Sequence, residues 1–312
     1  MNREDYPALY RAADASAVLS ERVNARRQII YLALLLSAAA AGSFGGLPPA
    51  PGPRLLFLAS TLFLVAGLAL LWVDLVQNRE RVWHRSRSVA ESVKSLSWRY
   101  MMRAAPLGAG LEEESADRAL LDRLAQVRRQ SAADEPVIAD PSLAGASEIT
   151  QAMRQRRADT LDERIACYRD ERLIEQREWY IQQAISNRRA ALRLSALVSL
   201  LHVAALATAI LHVANHPSAG AFVPVLAAAA ASVLAWSNSR RFTENRNAYS
   251  QAANDLASLL AEVDHVTDDA GLDRFVQDTE AAVSREHTLW CVRRNTPPSA
   301  SPSSGPVPPA AP

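Results

Sequence analysis

Apolar residues in this chain are concentrated in four long stretches that come in two pairs. Residues 29–47 and 55–73 form the first pair, residues 194–214 and 219–238 form the second, and a short turn containing Pro or Gly joins each pair. A bilayer core about 30 Å thick needs roughly 20 helical residues to cross it. The stretches contain no Asp, Glu, Lys or Arg, whereas a helix on the surface of a soluble protein carries a charged stripe. The pattern therefore predicts four membrane-spanning helices, arranged as two hairpins.

The first stretch includes small residues of the type that a signal peptidase accepts, so a cleaved signal peptide is an alternative to a span. The 28 polar, helix-prone residues that precede it are far more than a signal peptide's basic region contains. We therefore expect residues 29–47 to remain as the first span.

Arginines cluster at one end of each hairpin. The clusters are Arg22, Arg26, Arg27, Arg79, Arg81, Arg85 and Arg87 for the first hairpin, and Arg188, Arg189, Arg193, Arg240, Arg241 and Arg246 for the second. The turns lack Lys and Arg, apart from Arg54 at the edge of the first. By the positive-inside rule, both turns lie outside and the N- and C-termini lie in the cytoplasm.

The polar segments around the hairpins have helical patterns. Amphipathic spacing predicts a helix over residues 1–28 and one helix after each hairpin. Shorter patterns predict helices over residues 111–129 and 273–294. The pattern of residues 148–189, with many opposite charges three and four residues apart, predicts one long helix. Such a helix suits a solvated cytoplasmic coiled coil. Residues 296–312 are rich in Pro and Ser and predict a disordered tail. The expected fold is an all-α membrane protein with two transmembrane hairpins flanked by cytoplasmic helices.

The two halves of the chain repeat one another. Residues 90–96 align with residues 253–259 at an offset of 163, and Arg26 and Arg27 align with Arg188 and Arg189 at an offset of 162. These offsets indicate an internal duplication of a helix–hairpin–helix unit. The expected division is a first unit over 1–105, a linker with one short helix over 106–147, a second unit over 148–295 and a tail over 296–312.

Composition narrows the function classes. The formal net charge of +1 argues against a nucleic-acid partner, for which a concentrated basic face is typical. Cys167 and Cys291 are read as reduced thiols, and no cofactor or metal motif occurs. Ser284, Glu286 and His287 are too close in sequence to face one another on a helix, so we expect no enzymatic activity. Arg99 and Arg103 lie beside aromatic residues, and are read as a solvated basic face rather than as a site for lipid headgroups or an anionic nucleotide.

Several stretches resemble a known family. ESVKSLSWRYMMRAAP, after the first hairpin, resembles the SMODS- and SLOG-associating two-transmembrane effector (SLATT) domains. YRDERLIEQREWY, before the second hairpin, and AAVSREHTLWCVRR, near the end, are similar to another subtype of that family. The resemblance implies an effector of the bacterial cytoplasmic membrane that responds to nucleotide-signalling systems and kills or arrests the cell by opening the bilayer. The chain shows no nucleotide synthase or sensor domain, so the signal would come from a separate signalling or sensor protein.

A pore built from this chain requires a homo-oligomer in the lipid bilayer, since four spans enclose little space. The third span offers a polar face of Ser195, Ser199 and His202, which could line water or hydrogen-bond to packed helices. Ala38, Gly42 and Gly46 recur every four residues and predict close helix packing. Trp72 and Trp236 are expected to anchor the cytoplasmic ends of the hairpins.

Two other functions stay open. A scaffolding membrane protein would use the charged helix 148–189 to bind a partner. A membrane enzyme or transporter fits least well, because transporters generally have more spans and broken helices with charges inside the membrane.

Overall fold

The computed structural model describes residues 1–45, 53–77, 79–108, 110–132 and 146–295. Every regular element in these ranges is helical, and ten are α-helices. They are α1 (Ala8–Gly45), α2 (Pro53–Gln77), α3 (Arg79–Met101), α4 (Glu113–Ala132), α5 (Gln151–Ala158), α6 (Leu161–Tyr168), α7 (Glu175–Val213), α8 (Phe222–Arg240), α9 (Phe242–Glu262) and α10 (Asp269–Asn295). A π-helical turn at Arg169–Ile174 joins α6 to α7.

The four apolar stretches lie in helices long and apolar enough to cross a membrane, which confirms the predicted spans. The first and third spans are the C-terminal halves of α1 and α7, whose N-terminal halves carry the charged segments. α2 and α8 return from the turns as the second and fourth spans. The turn residues 46–52 lie outside the described residues. So does the tail 296–312, which was predicted to be disordered.

The remaining helices form an extramembrane domain at the charged end of the hairpins. α3 packs along α1, and α9 packs along α7. α4 packs on α3 and contributes Ala116, Leu120 and Leu124 to the core. α10 packs on both α3 and α9, so it bridges the two halves of the domain.

The duplication is visible in the burial of equivalent helices. Val89, Ala90 and Val93 of α3 are buried, and the residues 163 positions later on α9, Ala252, Ala253 and Leu256, are buried as well. The chemistry of equivalent contacts differs. A hydrogen bond of 3.0 Å joins the hydroxyls of Ser16 and Ser86 between α1 and α3. The residues 163 positions later, Trp179 and Tyr249, form an edge-to-face ring pair between α7 and α9.

The prediction of one solvated helix over residues 148–189 is wrong. The chain ends α5 at Ala158 and begins α6 at Leu161, where Thr160 and Glu163 form a capping box. Parts of the segment are also buried, because three of its arginines bind groups inside the domain. Arg157, Arg164 and Arg172 are each 5% exposed or less. These three charges therefore reflect internal pairing rather than a solvated coil.

Candidate functional site

The four spans lie side by side in an open row. α1 packs against both α2 and α8, and α8 packs against α7, so α2 and α7 stand at the two ends. The contact between the hairpins, α1 against α8, extends along the whole span. The rings of Phe44 and Phe222 meet edge to face at 5.2 Å near the turns. At the charged end, Ser239 donates to Gln28 over 3.0 Å, and Arg240 pairs with Glu21 over 3.1 Å.

Close packing joins α1 to α2. The hydroxyl of Ser60 donates to the carbonyl oxygen of Ala38 over 2.8 Å, and Ala38 is buried. A Cβ atom added to Gly42 would lie 3.5 Å from that hydroxyl oxygen. Two of the three small residues predicted to pack thus face α2, and Gly46 lies outside the described residues. Small side chains at this contact let the two backbones approach, as in other membrane helix pairs.

The polar face of Ser195, Ser199 and His202 lies exposed on α7, at one end of the row. Ser199 donates to the carbonyl of Ser195 over 3.0 Å, and Nδ1 of His202 donates to the carbonyl of Val198 over 2.8 Å. Both bonds stay within α7. A histidine surrounded by hydrocarbon is costly. The face is therefore better suited to contact water or a further helix than lipid alone.

The two tryptophans lie at the charged ends of their hairpins. Trp72 is 61% exposed, on α2. Trp236, on α8, has the guanidinium of Arg240 over its ring at 5.7 Å from the centroid. Arg27 and Asp74 pair over 2.7 Å between α1 and α2. Aromatic rings and charges at the same depth are typical of a membrane–water interface.

An aromatic cluster joins the two units in one core. Trp98 of α3 is fully buried, and its indole N–H donates to the hydroxyl of Tyr6 over 3.1 Å. The Trp98 ring meets Tyr168 of α6 edge to face at 5.6 Å, and Tyr168 meets Phe275 of α10 at 6.1 Å. Residues of both units therefore pack directly together, and the extramembrane domain has a single core.

Buried arginines bind the carbonyl groups at the end of α3. Arg157 donates through Nη1 to the carbonyls of Tyr100 and Leu107, over 2.6 and 2.9 Å. Arg164 donates to the carbonyl of Met102 over 3.1 Å and also pairs with Asp269 of α10. Such donors satisfy backbone oxygens that a helix end leaves without partners. Arg164 thus links the end of α3 to α10.

Arg99 and Arg103 were predicted to form a solvated basic face, but in the structure both side chains are half-buried. Arg99 donates to the carbonyl of Ala105 over 2.9 Å, and Arg103 donates to the carbonyl of Arg157 over 2.8 Å. Both guanidinium groups are thus bound to backbone oxygens of the domain.

Glu280 of α10 accepts hydrogen bonds from two buried residues. Arg172 binds its carboxylate with both Nε and Nη2, over 2.8 and 2.7 Å. The hydroxyl of Tyr168 donates to Oε1 over 3.1 Å. Burial, reinforced by the charge of Glu280, raises the pKa of Tyr168 well above its ordinary value, so this hydroxyl stays a donor. The carboxylate of Glu280 thus receives three hydrogen bonds, two from Arg172 and one from Tyr168.

Lys94 of α3 lies next to this group. Its ammonium donates to the side-chain oxygen of Gln176 over 3.4 Å. Burial lowers the pKa of Lys94 to about 8, and the positive charge of Arg172 adds to this effect, while Glu91 opposes it. The protonated lysine is therefore a cost to the folded state at neutral pH.

We expect Lys94→Met to stabilise the protein at pH 7. The unfolded lysine keeps its proton up to its ordinary pKa of 10.5, whereas the folded one loses it near pH 8. Between these values the unfolded state binds more protons, so this group raises wild-type stability with increasing pH. The difference in free energy of unfolding between variant and wild type should be largest below pH 8 and shrink toward pH 10.5. Denaturant titrations at several pH values measure it, and a constant difference would contradict the assignment.

The described side chains include neither an activated thiol nor a metal site. Burial raises the pKa of the Cys167 thiol to about 11, which disfavours the reactive thiolate. In the described ranges, no group of three His, Cys, Asp or Glu side chains could hold a metal ion. Ser284, Glu286, His287 and Cys291 lie on α10, beyond the side chains that the structure describes.

Two family models match the chain in tandem. SMODS and SLOG-associating 2TM effector domain 3 matches residues 7–165, just over half of the chain, and SMODS and SLOG-associating 2TM effector domain 1 matches residues 168–290. No curated protein and no solved structure matches. The two matches confirm the resemblance to two subtypes, and the two hairpins of the structure agree with two 2TM domains. The chain therefore belongs to the family of SMODS and SLOG-associating two-transmembrane effector domains, and is an integral membrane protein with two such domains in tandem.

Proposed function

We propose that this protein is a membrane effector of a bacterial defence system that permeabilises the bilayer as an oligomer of this chain. Family membership supports the role of membrane effector. The observation that carries the finer proposal is the exposed polar face of α7 at an open end of the span row. A second copy that packs against this end would bring two polar faces together and enclose water between them.

The extramembrane domain is proposed to receive the signal. Its single core contacts the charged halves of both α1 and α7, so a change in the domain reaches both hairpins. We assign the trigger to a separate nucleotide-signalling or sensor protein, and we assign no catalytic step to this chain. The arginine clusters support a cytoplasmic location for the domain.

Induced expression in a bacterial host is expected to depolarise the cytoplasmic membrane. High expression favours assembly by mass action and so reduces the need for a trigger. A voltage-sensitive dye and viable counts measure the effect, with a version that lacks both hairpins as the control. The same protein, reconstituted in liposomes at high density, should release trapped ions. If the protein is folded and inserted in the membrane but conducts in neither setting, the proposal is refuted.

A further inference from the structure

The helix that becomes the third span contains a π-helical turn just before α7. The backbone N–H of Glu175 donates to the carbonyl oxygen of Asp170, five residues back rather than four. A π turn holds one residue more than the α-helical path, and such turns occur frequently at functional sites. Here the turn lies within the extramembrane domain, on one continuous helix over Leu161–Val213 that continues into the third span.

Contacts from α10 hold the π turn. Glu280 binds Arg172 inside the turn and Tyr168 directly before it, and all three side chains are buried. The arrangement carries a cost as well. Within the described part of the chain, Nη1 of Arg172 is buried without a hydrogen-bond partner, and the positive charge of Lys94 lies close by. The carboxylate of Glu280 therefore offsets the cost of burying the Arg172 cation and its unsatisfied Nη1 donor.

We propose that this turn is a two-state element that sets the rotation of the third span, and that Glu280 holds it in the π state. Conversion to α-helical winding would advance the helix after the turn by one residue, or about 100°. The polar face of Ser195, Ser199 and His202 turns with it. The inference requires only that α7 spans the membrane, and it stands whether or not the protein conducts ions.

Two sets of contacts around α7 fit both rotations. A one-residue advance puts each residue where its successor was. Outside the membrane, Trp179 and Tyr180 both contact the ring of Tyr249, at 5.5 and 5.9 Å, so Trp179 replaces one aromatic contact with another. Within the span, three of the half-buried positions, 198, 201 and 205, are each preceded by an apolar residue. These pairs are Leu197 before Val198, Leu200 before Leu201 and Ala204 before Ala205.

The rotation is measured by spin labels placed singly at positions 194–206, in a background with both cysteines replaced by alanine. Oxygen dissolves in the bilayer, so label accessibility reports which positions face lipid. In wild type the minima are expected at the half-buried residues 194, 198, 201, 204 and 205. In Glu280→Gln, which keeps the shape of the side chain but removes its charge, the minima within the labelled range should move to 197, 200, 203 and 204. Asp278→Asn, an exposed neighbour on α10, is the control and should leave them unchanged.

A deletion variant tests the π turn without disturbing its buried contacts. Removing exposed Asp170 converts the turn to α winding with one residue fewer, so the minima should stay on the same side chains as in wild type. Removing exposed Glu178, in regular α-helix, should instead rotate the span by about 100°. Combining the Asp170 deletion with Glu280→Gln should abolish the shift. The proposal is overturned if both deletions rotate the span equally, or if folded Glu280→Gln keeps the wild-type minima.

Discussion

Trp98→Ala is expected to lower the free energy of unfolding by about 3–5 kcal/mol, the range typical of removing a buried tryptophan. Trp98 is fully buried, and its indole both donates to Tyr6 and packs against Tyr168. The substitution leaves a cavity at the point where the two units meet. Loss of structure should therefore reach the second unit as well as the first, in one transition. Denaturant titration of detergent-solubilised protein, followed by circular dichroism, measures the change.

Trp72→Ala provides the matched control, since Trp72 is 61% exposed at the end of α2. The same change of residue there should leave the transition of the extramembrane domain close to that of wild type. A double-mutant cycle of Trp98→Ala with Tyr168→Ala should give an interaction energy of about 0.5–3 kcal/mol, as expected for side chains in contact. Two separate transitions, only one of them sensitive to Trp98, would show that the units fold independently.

The parts of this fold that follow from simple periodicity could be predicted from the sequence. The length and lack of charge of the apolar stretches indicate four spans, and the stripe containing Val89 and Val93 predicts the buried side of α3. The roles of the buried arginines could not be predicted. Arg157 and Arg164 bind backbone carbonyls that lie 50 and 62 residues away in sequence. No local pattern records such partners, so charges in this segment look like a solvated surface.

The candidate site could likewise be predicted only in part. Helical spacing alone places Ser195, Ser199 and His202 on one side of a helix, and the structure shows that this side is exposed. Spacing does not give the order of the spans, because that order depends on the packing of α1 against α8 across the two units. The π turn could not be predicted from the sequence either, because it depends on Glu280, which lies 108 residues after Arg172.

Replacing Ser199 and His202 together with leucine is expected to reduce depolarisation and ion release about tenfold or more, which corresponds to an added barrier of about 1.4 kcal/mol. The leucines turn a polar face into an apolar one, and an apolar constriction expels water and so blocks ions. Voltage-sensitive dye in cells and ion release from liposomes measure the effect. Ser199→Thr keeps a hydroxyl on the same face and should retain most of the activity.

Thr61→Leu on α2 separates this effect from a general response to apolar substitution. Thr61 is exposed in a span and donates to the carbonyl of Phe57 over 2.9 Å, as Ser199 does within α7. Its replacement should leave ion release unchanged. The oligomeric state in detergent distinguishes the two roles of the polar face: a water-lining face loses conduction while the oligomer persists, whereas a face that hydrogen-bonds between packed copies loses the oligomer first. If the leucine variant is folded and conducts like wild type, ions do not pass along this face.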